Sequence, residues 1–192
     1  MPDIDIDFYD RESALKIIKH IPASRYENNE LKKHNTGIYL HQIPVDKINN
    51  MSSIDYDVAE DRGYFKIDFL NVSLYKDIKN EEHLQQLMNQ EPLWDLLEQE
   101  EFSKMLFHVG GHGSILKMMK PQNVEQLAAV LAMIRPAKRN LIGLPWDTVM
   151  TQVWIRPEND DYFFKKSHAI AYAVAVVVQM NLICEKISYG FS

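Results

Sequence analysis

The sequence predicts an α+β fold, with strands concentrated in the first third of the chain and helices in the remainder. Before residue 75, the segments "DIDIDF", "GIYLHQIPV" and "RGYFKIDFLNVSL" alternate polar with apolar residues or are rich in β-branched and aromatic ones. From about residue 75 onward, apolar residues recur at spacings of three and four, which is typical of helices with one buried face. We therefore expect a strand-rich region over residues 1–75 and a helical region over residues 76–192.

Each element of the first third follows from a local pattern. "DIDIDF" predicts a strand whose isoleucines face a core and whose aspartates face a cleft. Asp10 is a predicted N-cap for a helix in "RESALKIIKHI", which has an apolar face and ends by Pro22. Residues 23–36 are polar and predict a loop. "GIYLHQIPV" then predicts a strand up to Pro44, and "RGYFKIDFLNVSL" predicts a second core strand that carries Asp68.

The remainder of the chain predicts a series of helices that ends in a long one. The segments "EEHLQQLM", "PLWDLLEQEEFSKML", "SILKMM" and "NVEQLAAVLAMIRP" are separated by prolines and by "GGHG". A last helix is expected from about Ser167 to Ile187. Its apolar run, Ala169 to Ile183, is interrupted by Gln179 and Asn181 and is shorter than a bilayer span, so we expect a buried helix.

Composition and charge exclude several classes of protein. From a length of 192 residues we do not expect a large multidomain enzyme. The single cysteine, Cys184, has no cysteine in this sequence to pair with and is expected to be a small buried hydrophobe. With no apolar signal segment at the start, we expect a cytoplasmic protein without a membrane partner. The formal net charge of −6 argues against nucleic-acid binding through general positive charge, so any polyanion contact must be local.

Three aspartates near the start of the chain suggest a metal site. Asp3, Asp5 and Asp7 alternate along the first strand, so their carboxylates lie on one face and repel each other unless a cation neutralises them. Hard divalent ions such as Mg²⁺ prefer oxygen ligands, and Asp68 on an adjacent strand could complete the ligand set. The alternative is an edge strand whose polar face is exposed to solvent, and spacing alone does not decide between the two.

Five segments, in the same order, resemble the alpha subunit of bacterial replicative DNA polymerase III, the C-family polymerases. "PDIDIDF", followed by Arg11, resembles the palm motif of that family, and the other four segments touch most of the remaining chain. They are "KHNTGIYL" (33–40), "GYFKIDFL" (63–70), "LFHVGGHGSILKMMKPQNVEQLAAVLAMIRP" (106–136) and "FFKKSHAIAYA" (163–173).

The resemblance implies a fold and a set of metal ligands. Residues 1–75 would form a nucleotidyltransferase palm like that of polymerase beta, a mixed sheet with helices. Residues 76–192 would form shortened helical fingers, with the C-terminal helix packed on the palm. Asp3, Asp5 and Asp68 match the catalytic aspartates that hold two Mg²⁺ or Mn²⁺ ions, whereas Asp7 falls where some members carry asparagine.

The resemblance also implies cationic residues that bind a nucleoside triphosphate. Arginine and lysine can bind its phosphates directly. The candidates are Lys66, Arg135, Lys165, Lys166 and His168. Lys33 and His34 are expected near the site. For each of these residues a simple surface charge is the alternative, and His168 could instead be a core histidine. "GGHG" could let a backbone approach a phosphate closely or could simply connect two helices.

The chain also departs from the family in ways that shape the expected function. We expect no phosphoesterase domain and no clamp-binding or oligonucleotide-binding modules. Only some twenty residues stand where the family has a thumb. The segment "RPAKRN" replaces the Arg-Pro-Gly-Pro motif of the family. Because a thumb grips duplex DNA through phosphates, we expect low processivity or a second replication protein that supplies the grip. Such a compact chain is what we expect of a phage genome, acting in the host cytoplasm.

Two functions follow from these observations. The first is a metal-dependent nucleotidyltransferase that adds nucleotides from dNTPs to the 3′ hydroxyl of a DNA primer or 3′ end, either as a DNA-directed DNA polymerase or without a template. The second is a non-catalytic module derived from a polymerase, which assembles with another replication protein or senses nucleotides. In the second case Trp94, Trp146 and Trp154 could contact a partner, although packing in the core is the more usual role of tryptophan.

Overall fold

A computed structural model describes residues 4–158 and 163–190 of the chain. The chain divides into two compact units between Ile78 and Lys79. The first unit contains a mixed four-stranded sheet, and the second consists of helices. The predicted α+β class is therefore confirmed, while the identification of the two units as palm and fingers stays a prediction.

The sheet of the first unit has the strand order β1-β6-β3-β2. β1 pairs parallel to β6, β6 pairs antiparallel to β3, and β3 pairs antiparallel to β2. A separate two-stranded ribbon joins β4 to β5. The strands are β1 (Ile4–Phe8), β2 (Ile21–Glu27), β3 (Glu30–Tyr39), β4 (Val45–Asp46), β5 (Met51–Ser52) and β6 (Ile67–Asn71).

The predicted loop over residues 23–36 is wrong, because these residues form most of a β-hairpin. Asn28 and Asn29 connect β2 to β3 with φ angles of 54° and 63°. Asparagine tolerates this left-handed conformation, which matches the twist of a two-residue hairpin turn. β2 is an edge strand, so Pro22 lies within it without removing a hydrogen bond from a central ladder. The exposed polar side chains of the hairpin concealed its strand character.

Among its described residues, the first unit contains two α-helices, α1 (Arg11–Ile17) and α2 (Tyr56–Asp61), and a 3₁₀ helix at Ser73–Asp77. The predicted N-cap is confirmed, since Asp10 Oδ1 accepts a hydrogen bond of 3.2 Å from the Ser13 amide. The predicted apolar burial of this helix is wrong, because α1 has no buried residue and Ile17 is 85% exposed. Sequence analysis also missed α2, a single short turn whose N-cap is Asp55.

The first strand is more exposed than its sequence suggests. Ile4 and Ile6 are 40% and 38% exposed, so the expectation that they face a core is wrong. Among the described residues, β1 forms an edge of the sheet beside β6, and side chains on both of its faces are exposed. The next strand is better covered, since Phe69 of β6 is 2% exposed and its ring lies 4.7 Å from that of Phe8.

The second unit is helical, as predicted, and packs around one large apolar core. Short 3₁₀ helices at Trp94–Glu98 and Pro136–Leu141 connect longer elements. Trp94 is buried, and Trp146 and Trp154 pack partly buried against the core. The α-helices are α3 (Glu81–Asn89), α4 (Glu100–Ser103), α5 (Gly113–Met119), α6 (Val124–Met133), α7 (Trp146–Gln152) and α8 (Lys166–Gly190).

Helix α8 packs against α6 and α3 within the second unit, and its two polar interruptions anchor it there. Gln179 accepts a hydrogen bond from the Phe107 amide and donates one to the Met105 carbonyl, both of 2.9 Å. Asn181 donates to the carbonyls that end α3, at Leu87 and Gln90. These bonds satisfy backbone groups at Met105, Phe107 and the end of α3, of which the Leu87 carbonyl is bonded in a buried position. The predicted buried helix is therefore confirmed.

Helix α8 is longer than its apolar run suggested, because polar residues extend it at both ends. Of the helices in the described residues, it alone has the length and apolar composition to cross a membrane, and half of its most apolar window is buried within the protein. The central helix of a water-soluble core has the same properties, so this finding does not bear on the location of the protein.

A carboxylate also fastens the end of α8 to the start of α3. Glu185 accepts hydrogen bonds of 2.7 Å from Lys79 Nζ and from His83 Nε2. The Lys79 amide donates to His83 Nδ1, which leaves Nε2 as the protonated nitrogen of a neutral ring. The bond from Lys79, followed by that from His83, lowers the pKa of Glu185.

We predict that Glu185→Gln destabilises the protein at neutral pH by up to about 1 kcal/mol, the range of a partly exposed ion pair. Because the folded-state pKa of Glu185 is lowered, its contribution is present above the unfolded value and is lost as pH falls through the folded value. The difference in urea-unfolding free energy between variant and wild type should therefore shrink as pH falls from 7 to about 3. Glu30→Gln, at an exposed hairpin position, is the control, and an unchanged difference across this range would contradict the prediction.

Candidate functional site

The parallel pairing of β1 with β6 brings two of the predicted aspartates together. Asp5 lies directly opposite Asp68 in the register of the two strands. Neighbouring strands are about 4.8 Å apart, and residues in register on parallel strands point to the same face. The prediction that the two carboxylate-bearing strands are neighbours is confirmed. Asp3, the remaining predicted ligand, lies outside the described residues.

Asp68 is held by side chains on both of its carboxylate oxygens. Thr36 Oγ1 donates a hydrogen bond of 2.7 Å to Oδ1, and Lys66 Nζ forms an ion pair with Oδ2. The side chains of Asp68 and Lys66 are only 16% and 19% exposed, so this pair is better shielded from water than an ordinary surface salt bridge. Lys66 therefore contacts the predicted catalytic carboxylate itself.

His34 supports the same corner of the site as a neutral acceptor. Its Nδ1 accepts hydrogen bonds from the amides of Gly37, at 2.8 Å, and Thr36, at 3.3 Å. Burial, and next the charge of Lys66, lower the pKa of His34. The separation of 3.7 Å between His34 Nδ1 and Asp68 Oδ1 is therefore not an ion pair, because Nδ1 carries no proton to donate. His34 shapes the backbone beside Thr36, which in turn positions Asp68.

Arg11, at the start of α1, bonds to the backbone of β3. Its guanidinium Nη2 donates a hydrogen bond of 3.4 Å to the Thr36 carbonyl. The Arg11 amide donates to Asn71 Oδ1 at the end of β6. The arginine that follows the first acidic strand thus connects β3, β6 and α1 around the carboxylates.

Gly37 is required where the stem of Lys66 crosses β3. A Cβ atom added at Gly37 would lie 2.8 Å from Lys66 Cδ, 3.0 Å from His34 Nδ1 and 3.1 Å from Ala23 Cβ. The first of these separations is shorter than real Cβ contacts. Since Gly37 lies opposite Asp68 in the sheet, the missing side chain leaves the space through which Lys66 reaches the carboxylate.

Asp7 has a different environment from the other acids of the first strand. The Tyr75 hydroxyl donates a hydrogen bond of 3.1 Å to Asp7 Oδ2. Burial, and next the nearby charge of Asp7, raise the pKa of Tyr75 to about 12, so the phenol keeps its proton. Asp7 is thereby attached to the 3₁₀ helix at Ser73–Asp77, which agrees with its lower rank as a predicted ligand.

The donor set around Asp5 and Asp68 fits a hard divalent cation. Two carboxylates lie on one face of neighbouring strands, and the ammonium group of Lys66 already occupies a cation position on Asp68. Within residues 4–158 and 163–190, no group of three or more histidine, cysteine, aspartate or glutamate side chains is placed to hold a metal ion. The ligand set predicted for two ions includes Asp3, so that number stays a prediction.

The second unit brings two of its predicted cationic residues to one aromatic ring. Arg135 Cζ lies 5.2 Å from the centroid of Phe164. The His168 ring lies edge-on to the same phenylalanine at 6.3 Å, and Tyr172 lies against it at 5.5 Å. These residues come from the end of α6, the segment before α8 and the first turns of α8.

Lys165 and Lys166 are exposed, and Lys166 lies over an aromatic ring. Its Nζ is 5.9 Å from the centroid of Trp154. Lys165 precedes the helix, and its carbonyl accepts the Ala169 amide in the first turn. Both lysines therefore stand at the start of α8, next to the ring that Arg135 and His168 share.

Sequence analysis did not identify Lys138, Arg139 or His112 as members of this cationic group. Lys138 is 8% exposed, donates to the Gln152 carbonyl at 2.8 Å, and burial lowers its pKa. Burial, and next the charges of Arg135 and Arg139, lower the pKa of His112. The charges of Lys138 and Arg139 are visible in "RPAKRN", and His112 lies in "GGHG", but neither segment indicates the burial of these side chains.

Comparison of the sequence with protein-family models and with curated proteins finds no match. The polymerase resemblance therefore rests on the five ordered motifs alone.

We predict that Gly37→Ala destabilises the protein by about 1–3 kcal/mol, the usual range for overpacking a fitted interior. The added methyl group would collide with the stem of Lys66 and with His34. Urea unfolding followed by circular dichroism measures the change. Gly111→Ala is the control, because an added Cβ there meets nothing within 4 Å. Equal stability of both variants and the wild type would contradict the prediction.

Proposed function

We propose that the chain is a metal-dependent nucleotidyltransferase that adds nucleotides from dNTPs to the 3′ hydroxyl of a DNA primer. The observation that carries this proposal is the register of Asp5 opposite Asp68 on parallel strands. Two carboxylates on one face, more than sixty residues apart in sequence, are an unfavourable arrangement unless positive charge lies beside them, and a divalent cation can supply that charge together with Lys66. Phosphoryl transfer is the reaction for which such carboxylates hold divalent ions.

The roles of the acidic residues follow from their positions. The Mg²⁺ or Mn²⁺ ions would be held by three aspartates, Asp3, Asp5 and Asp68. Bound ions would lower the pKa of the 3′ hydroxyl and neutralise charge on the leaving oxygen. The 3′ oxygen then forms a bond with the α-phosphorus, the bond from that phosphorus to the bridging oxygen breaks, pyrophosphate leaves, and the hydroxyl proton passes to solvent. Thr36 keeps Asp68 in position throughout, through its bond to Oδ1.

The cationic residues would bind the triphosphate. We assign this role to Lys66 and to Arg135, Lys165, Lys166 and His168. Arginine and lysine make charge-assisted hydrogen bonds with phosphate oxygens, and positioning with charge stabilisation supplies most of the catalysis in phosphoryl transfer. The rings of Phe164 and Trp154 orient Arg135 and Lys166 without cancelling their charge.

The net charge of the chain bears on how strongly it would bind DNA during the proposed reaction. With a formal charge of −6, the chain would hold duplex DNA weakly outside its local cationic groups. We therefore propose low processivity, or a second replication protein that supplies the grip, in a polymerase-beta-like palm with shortened fingers. The cytoplasm, including that of a phage host, is the proposed location.

A second candidate is a non-catalytic module of a replication complex. The observation in its favour is that Thr36 and Lys66 already satisfy both oxygens of Asp68 within the chain. In that case the acids would serve the fold or a nucleotide sensor. The two candidates differ in whether labelled nucleotide becomes covalently joined to a primer.

We predict incorporation of labelled dNTPs in the presence of Mg²⁺ or Mn²⁺, measured on single-stranded, primed and gapped DNA. Asp5→Asn and Asp68→Asn should each lower the rate by about 100-fold or more, because each removes an electrostatic stabiliser of the transition state. Asp3→Asn should have the same effect. Asp7→Asn is the matched control and should stay close to wild type, because Asp7 bonds to Tyr75 instead.

Two results would count against the proposal. Absence of incorporation on every substrate, together with no metal-dependent dNTP binding, would exclude the enzyme. Binding of dNTP without incorporation would favour the non-catalytic module. Thermal unfolding with each variant shows whether a lost activity reflects a lost fold.

A further inference from the structure

The ammonium group of Lys66 occupies a place on Asp68 that a divalent cation would take. Lys66 immediately precedes β6 and lies two residues before Asp68, and its ammonium group reaches the carboxylate. Lys66 contacts Oδ2, and Thr36 donates to Oδ1. Both carboxylate oxygens are thus engaged by donors of the chain itself.

The path of the Lys66 side chain is defined by its surroundings. Its Cδ passes over Gly37, where a Cβ would lie at 2.8 Å. Its Nζ lies 5.7 Å from the centroid of the Tyr56 ring, within the range of a cation–π contact. The absent side chain at Gly37 leaves room for the stem, and the Tyr56 ring and the Asp68 carboxylate lie beside the ammonium group.

A second cation cannot share Asp68 Oδ2 at low cost. Like charges a few ångströms apart repel strongly in a partly buried site. Asp68 itself must stay, because Thr36 fixes its other oxygen and its strand is paired on both sides. Lys66 is the partner that can move, since its flexible stem carries a charge that water or a phosphate can accept.

We propose that Lys66 is a resident counter-cation of Asp68, which holds the carboxylate in the ion-free protein and leaves it when a divalent ion binds. Lys66 thereby lowers the ion affinity of the site and keeps Asp68 ordered in the absence of the ion. This inference rests on the proposed function, since it assigns a control of ion binding to the same carboxylate. It also implies an order of events, in which the Lys66 ammonium becomes available to a triphosphate only after an ion is bound.

The first test measures Mn²⁺ affinity directly, by electron paramagnetic resonance of the free ion during titration. Lys66→Met keeps the length of the side chain and removes its charge, so it should bind Mn²⁺ about tenfold more tightly than wild type, the expected cost of breaking one charge-assisted bond. Lys47→Met, at an exposed position of the same unit, is the matched control and should leave the affinity unchanged. Lys66→Arg keeps the charge and should not bind more tightly than wild type.

The second test uses the wild-type chain and needs no variant. Acetylation by an N-hydroxysuccinimide ester, followed by peptide mass spectrometry, reports how accessible each lysine amine is. Lys66 should react slowly without an ion and several-fold faster with saturating Mn²⁺, because the ion pair that protects it has been broken. Lys47 should react equally under both conditions.

The outcomes separate this inference from the proposed function. If Lys66→Met binds Mn²⁺ no more tightly than wild type, or if Lys66 labelling does not respond to Mn²⁺, the counter-cation role is overturned. Primer extension by the wild-type chain would still stand in that case. If the wild-type chain neither binds Mn²⁺ nor extends a primer, both proposals fail together.

Discussion

The parallel pairing of β1 with β6 is the constraint on which the first unit depends. Parallel neighbours cannot be joined by a tight turn, so the chain needs a long connection between Phe8 and Ile67. That connection supplies α1, the β2–β3 hairpin and α2, and it returns β3 to the other side of β6. Asp68 consequently has an acidic strand on one side and, on the other, the strand that carries Thr36 and Gly37. One pairing thus creates the repulsion between carboxylates and places the groups that relieve it.

The sequence predicted the pairing of β1 with β6 better than it predicted the β2–β3 hairpin or the exposure of β1. Period-two alternation and β-branched residues identify β1 and β6, and acids on both strands suggest that they meet. The hairpin escaped prediction because its stability comes from cross-strand pairing and a two-asparagine turn, while its side chains are mostly polar. For Ile4 and Ile6 the sequence predicted burial, but the structure shows exposure. Alternation shows which residues share a face of the strand, but not whether another element covers that face. Packing partners distant in sequence decide both cases.

In the second unit, the same limit applies to single residues. Gln179 and Asn181 were visible as interruptions of an apolar helix, but only the fold shows that they bond to the backbone at Phe107 and at the end of α3. Lys138 is the clearest miss, because a lysine in a loop sequence gives no sign that its ammonium will be buried against the Gln152 carbonyl. Motif similarity identified Arg135 and His168, and the fold adds the ring of Phe164 that they share.

Charged side chains have different partners in the two units. In the first unit, a partly buried carboxylate is paired with a lysine of its own strand segment, so the acid is ordered but its charge is compensated. In the second unit, Arg135, Lys138 and Lys166 lie against aromatic rings, which restrain their side chains. A chain with a net charge of −6 can bind a triphosphate only where positive charge is concentrated and oriented in this way.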